Sequence, residues 1–194
     1  VAPCIFGFLI KQSYQKLTAN RIDNFFTNQN SIKINEDDYI ELPSNLIGSM
    51  FSIHLIYHIE KEELMAIKKP RMSYDKQEYQ KLIDREINNY SKLNHPLLPK
   101  FIGTTKIENF LVIEFIKGKT LSNIKQFNLR HDEKIKIIWQ LMDVLDFLHH
   151  KKHIYRDLKP NNVMIDDKKN VVLIDFDRII DFNDPHRTCE SSPN

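Results

Sequence analysis

His153-Ile154-Tyr155-Arg156-Asp157-Leu158-Lys159-Pro160-Asn161-Asn162, answered further on by Ile174-Asp175-Phe176, is the stretch whose reading decides this chain. Between the two parts lie the apolar runs Val163-Met164-Ile165 and Val171-Val172-Leu173-Ile174, separated by Asp166-Asp167-Lys168-Lys169-Asn170. Two short apolar runs around a polar loop predict a β-hairpin. An antiparallel hairpin brings its open ends together, so Asn162 should lie beside Asp175. Asp157 feeds that same end from the loop upstream. Two carboxylates, an amide oxygen and the cation of Lys159 then converge. Such oxygen ligands suit Mg²⁺ shared with phosphate groups. The alternative is a charged surface loop beside an ordinary hairpin, but such loops rarely carry these residues in this order.

Tyr155 to Asn162 together with Asp175-Phe176-Asp177 resembles the catalytic loop and metal-binding motif of eukaryotic protein kinases. The resemblance implies that Asp157 orients a substrate hydroxyl and accepts its proton, and that Lys159 neutralises the transferring phosphoryl group. It assigns Asn162 and Asp175 to Mg²⁺ and makes ATP the expected cofactor. Lysine two places after the aspartate is the serine/threonine-kinase form, so the expected partner is a protein substrate with a Ser or Thr acceptor.

Composition is ordinary for a globular protein. The 194 residues are 41% hydrophobic and 28% charged, enough to bury one core or two small lobes. A net charge of +2 gives no reason to expect a nucleic-acid partner. Cys4 and Cys189 lie at opposite ends and suggest no disulfide framework, which favours a reducing, cytoplasmic setting. The longest apolar run, Val1 to Ile10, is too short for a bilayer, is broken by Pro3, and lacks the basic start of a secretory signal. No membrane partner is expected. Because the first residue is Val, the chain reads as a fragment.

Residues 1–38 carry no motif and read as an extension and linker, with a helix expected around Gln12–Thr27. From Tyr39 the pattern is that of strands: Tyr39–Leu42, Ile53–Tyr57 and Leu64–Lys68. By the resemblance, residues 39–116 form a five-stranded small lobe with one helix, and 117–194 part of a helical large lobe. The expected fold class is therefore α+β, two-lobed and kinase-like. Gly48 is the sole glycine of what would be the phosphate loop, with Met50 and Phe51 where smaller residues would help, so nucleotide affinity is expected to suffer.

Met65-Ala66-Ile67-Lys68 resembles the strand whose lysine grips the α- and β-phosphates, with Lys69 on the other face because strand side chains alternate. The segment Tyr74–Leu93 is helical by period, its stripe formed by Tyr79, Leu82, Ile83, Ile87, Tyr90 and Leu93. Glu86 falls inside that stripe. A buried carboxylate is a defect unless paired, so a Lys68–Glu86 ion pair is expected. Strands at Lys100–Thr105 and Phe110–Phe115 complete the sheet. By the resemblance, backbone groups of Glu114 and Ile116 would hold adenine, Ile113 would wall the pocket, and Ile53, Ala66 and Met164 would sandwich the ring. Read singly, these apolar residues are ordinary core.

Thr120–Phe127 reads as a short helix and Asp132–His150 as a long amphipathic one, apolar at Ile135, Ile138, Met142, Leu145 and Leu148. His149, His150 and His153 read as polar residues at a helix end rather than metal ligands. Tyr155 stands where the family usually has histidine, and Asp177 where glycine would let the backbone rearrange. The chain stops at Asn194, within the corresponding activation segment, so little activity is expected of this piece and much of the long helix should lack a packing partner. Thr188, Ser191 and Ser192 fall in that segment but carry little weight as phosphorylation sites. A second reading is a non-enzymatic module of the same fold that binds nucleotide weakly. A third, a small-molecule kinase, ranks last because it usually lacks Lys159-Pro160 after the aspartate.

Overall fold

The computed structural model describes residues 32–47, 51–70 and 76–182. The expected helix at Gln12–Thr27, Gly48 of the phosphate turn, both cysteines and Thr188, Ser191 and Ser192 lie outside them. Strands β1 (Ile32–Ile34), β2 (Tyr39–Ile47), β3 (Phe51–His58) and β4 (Glu63–Pro70) are followed by helix α1 (Lys76–Lys92). Strands β5 (Phe101–Thr105), β6 (Leu111–Glu114) and β7 (Gly118–Thr120) then lead to helix α2 (His131–His150). The chain closes through β8 (His153–Ile154), β9 (Val163–Asp166), β10 (Val171–Leu173) and β11 (Ile180–Asp181).

Five strands were expected in the first sheet, and six are present in the order β1-β5-β6-β4-β3-β2. The extra strand is β1, which pairs parallel to β5 with Ile32 opposite Gly103. Glycine is required there, because a Cβ on Gly103 would collide with the Ile32 carbonyl. The same device explains β7, whose Thr120 the sequence reading gave to a short helix. Gly118 lies opposite Asp166, and a Cβ on it would meet the Ile165 carbonyl.

Alternation along the strands sorts two cores onto the two faces of the large sheet. Ile56, Met65, Ile67 and Val112 share one face with Ile34. Phe51, Ile53, Ala66, Leu111 and Ile113 face the other way, into the larger cluster with Ile83, Tyr90, Val163, Leu173 and Phe176. Lys68 follows Ala66 by two residues, so it enters this second core. Lys69 lies on the opposite face, bonded to Glu41.

Helix α2 follows the expected stripe at Leu148, which is buried, and at Leu145, which packs against the core, and departs from it at Ile138 and Met142. Its buried residues are Ile137, Gln140, Val144 and Leu148, whereas Ile138, Trp139 and Met142 are 58%, 43% and 55% exposed. The helix has apolar residues on two faces, and only the one turned toward β10 is covered. Among the described residues, no helix is long and apolar enough to cross a membrane.

Candidate active site

The hairpin forms in the expected register, with Val163 opposite Leu173, Met164 opposite Val172 and Ile165 opposite Val171. Its loop is locked by Asp166, whose carboxylate accepts from the backbone of Lys168 at 2.9 Å and of Asn170 at 2.7 Å. At the open end the Ile174 amide donates to the Asn162 carbonyl at 2.9 Å, so the backbone of Asn162 meets Ile174, the residue before Asp175. Leu173 donates to the Leu97 carbonyl at 2.8 Å, which ties the hairpin to the turn after α1.

Buried Gln140 reaches the hairpin from α2. Its amide oxygen accepts from Val171 at 2.7 Å while its nitrogen donates to Asn170 at 3.1 Å. The sequence reading missed this residue. Its signal was a glutamine three residues after Ile137 and four before Val144, inside the stripe that proved to be buried.

Lys68 is the centre of the site. Its ammonium lies 2.8 Å from both Glu86 carboxylate oxygens and 2.9 Å from Asp175 Oδ1. The Phe51 ring adds a cation–π contact at 4.5 Å. Burial alone would lower the pKa of Lys68, but Glu86 and Asp175 outweigh it and hold it well above the ordinary value. Burial pushes the Glu86 carboxyl up and Lys68 opposes this. With the ammonium against both oxygens, the pair is held charged.

Asp157 is held on two sides. The Lys159 ammonium lies 2.7 Å from Oδ2, and the Asn162 amide donates to Oδ2 at 2.9 Å and to the Asp157 carbonyl at 3.0 Å. One oxygen each of Asp157, Asp175 and Asp177 lies within 4.8 Å of the others. These hard oxygen donors fit a divalent cation. Asn162 adjoins the group through Asp157, and Asp177, read in the sequence only as added charge, is part of it. Burial raises the Asp177 carboxyl above its ordinary range, and Asp175 adds to this. Asp175 holds a left-handed φ of +69°, a region that aspartate tolerates better than most residues.

Of the expected adenine-site residues, Ile53, Ala66 and Ile113 face one cluster. Met164 lies on the other face of β9 from buried Val163 and Ile165. Ile116 is buried just beyond β6. The Glu114 amide donates to the Lys100 carbonyl at 2.9 Å. Tyr155 donates its hydroxyl to the Ile174 carbonyl and sets its ring edge against Phe176. His150 and His153 bond backbone carbonyls at the helix end.

Three of the similar proteins, from different organisms, are all protein kinases by name. A serine/threonine-protein kinase of Arabidopsis thaliana, OXI1, is 34% identical over 142 residues, covering 70% of this chain and 33% of that protein. CBL-interacting protein kinase 12 of Oryza sativa is 30% identical over 137 residues, covering 66% and 25%. A carbon catabolite-derepressing protein kinase of Candida tropicalis is 31% identical over 134 residues, covering 66% and 22%. The chain thus spans a third or less of the length of these relatives. The family described as "Protein kinase domain" matches residues 47–192, which include every member of the Lys68, Glu86, Asp157, Asn162 and Asp175 constellation. This chain belongs to the protein kinase domain family.

Proposed function

We propose that the protein of which this chain is part transfers the γ-phosphoryl group of ATP to serine or threonine hydroxyls of a protein substrate. The observation that carries this reading is Lys68 bridging Glu86 and Asp175, with Asp157 independently fixed by Lys159 and Asn162. With these groups fixed by one another, catalysis would come from positioning and charge neutralisation.

Residues 39–116 and 117–194 act as the two lobes, in a cytoplasmic setting. Lys68 holds the phosphates, Gly48 contributes to binding them, and Glu86 keeps the ammonium aimed. Ile53, Ala66, Ile113 and Met164 enclose adenine, which the backbone of Glu114 and Ile116 orients. Asp157 takes the proton of the acceptor hydroxyl, and Lys159 offsets charge on the transferring group. Asp175, Asn162 and the adjoining Asp177 would hold Mg²⁺, which when bound neutralises phosphate charge.

A second reading, a nucleotide-binding module without transfer, is favoured by the Phe51 ring against Lys68 and by the third carboxylate of Asp177. Phosphotransfer by the full-length protein to a Ser/Thr peptide, compared with its Lys68→Met variant, separates the two. The first reading expects a loss on the order of a hundredfold or more. Equal activity in the two would remove Lys68 from the mechanism.

A further inference from the structure

Helix α1 presents three side chains to Phe176, and they take hold of each of its groups. The Phe176 amide donates to Glu86 Oε1 at 3.3 Å. Its carbonyl accepts from the Asn89 side-chain nitrogen at 3.1 Å. Its ring stacks on Tyr90 at 4.2 Å between centroids, with 17° between planes. Positions 86, 89 and 90 share one helix face, so a single rigid element delivers all three.

Asn89 is the member of this set with no role so far. It is only 5% exposed, and a buried amide on a helix otherwise committed to apolar contact requires a partner. Its nitrogen faces two carbonyl oxygens, that of Phe176 and, at 3.5 Å, that of Ile179. Since neither carbonyl can donate, the donor end of the amide must point there. Ile179 in turn donates to the Phe176 carbonyl at 3.4 Å, closing a turn over residues 176–179. The amide therefore fastens both ends of the turn that follows Asp175. Asp177 sits within that turn where the family resemblance leads one to expect a mobile glycine.

We propose that Asn89 is a positioning residue that latches the 176–179 turn to α1 and so keeps the Asp175 carboxylate on the metal side, beside Lys68. This rests on the phosphotransfer reading. Without the latch, the ties of the segment to α1 would be Glu86 and the ring of Phe176, with Arg156 Nε on the Arg178 carbonyl at 3.3 Å holding it from the catalytic loop, and Asp175 would leave its place more often. Asn89 touches no substrate; it acts through Phe176.

The test compares the full-length wild-type protein with its Asn89→Leu variant, which keeps the volume and removes the donor, and with its Asn89→Asp variant, which keeps the shape. Hydrogen exchange of the Phe176 and Ile179 amides should quicken about tenfold in both, the factor one buried hydrogen bond is worth, while β4 and β6 keep their protection. The Mg²⁺ concentration that gives half of the ATP-dependent thermal stabilisation should rise by a similar factor. Stabilisation by ATP without Mg²⁺ should stay as it was, a split that general loosening would not produce. Unchanged exchange at residues 176 and 179, or equal loss of protection across β4 and β6, would overturn the latch. A wild type that ignores MgATP would overturn the phosphotransfer reading and with it the positioning role, while the exchange result would still decide whether Asn89 holds the turn.

Discussion

The two helices divide the labour of this molecule in opposite ways. Helix α1 buries polar groups, Glu86 and Asn89, and finds each a partner in the site. Helix α2 does the reverse, covering Ile137, Val144 and Leu148 while leaving Ile138, Trp139 and Met142 in solvent. A buried polar group is tolerated only where something answers it, so on α1 the polar positions mark function. On α2, apolar character alone does not show which residues pack.

The sharpest way to break this contrast is to remove the charge on α1. Glu86→Ala should destabilise the fold by about 3 kcal/mol, near the lower end for a broken buried pair because Asp175 still holds Lys68. The urea midpoint reads this directly. Replacing both partners, Lys68→Met with Glu86→Leu, should restore much of that stability, since a well-packed apolar pair is often neutral. It should not restore nucleotide binding. Recovery of both would mean that the pair is only structural.

On α2 the contrast lies between two faces of one helix. Leu148→Ala, at a fully buried position, should lose about 2–4 kcal/mol in the same measurement. Ile138→Ala should stay within about 0.5 kcal/mol, as exposed positions do. Equal losses would show that the outer face is covered in solution.

An alkaline titration probes the contact between α1 and the catalytic segment. Burial holds the phenols of Tyr90 and Tyr155 well above their ordinary value of 10.0. In the unfolded chain they ionise near that value, so the folded form keeps protons that the unfolded form has lost. Their stabilising contribution is complete below pH about 10 and drains away as pH rises beyond it, by about 1.4 kcal/mol per pH unit per tyrosine. Lys68, held above its ordinary 10.5 by Glu86 and Asp175, loses its contribution in the same window, so Tyr155→Phe should flatten the decline in melting temperature by roughly a third or less. An unchanged slope would place the titrating group elsewhere.

Much of the site was legible because its residues violate local rules in a fixed order. Glu86 inside an apolar stripe demanded a cation, and Lys68 supplies it at 2.8 Å. The hairpin followed from two apolar runs around a polar loop, and its register came out as read. What escaped was set by tertiary context. Strand β1 exists because Gly103 lets a backbone approach from outside the sheet, which no period in residues 32–34 announces. The stripe of α2 was right at Leu145 and Leu148 and wrong at Ile138 and Met142, because two apolar faces alternate along that helix and β10 chooses between them. Asn89 was passed over because its partners are backbone carbonyls, and Gln140 because one of its two partners is a backbone amide, groups that every residue has and no sequence pattern marks.

The central claim is that Lys68, Asp157, Asn162 and Asp175 form a site for MgATP. Calorimetric titration of ATP into the wild type and into Asp175→Ala, each with and without Mg²⁺, tests it most directly. The account predicts that Mg²⁺ tightens ATP binding in the wild type and that Asp175→Ala abolishes that gain while the Mg²⁺-free affinity persists. Wild-type affinity indifferent to Mg²⁺, or an Asp175→Ala variant that retains the gain, would contradict it.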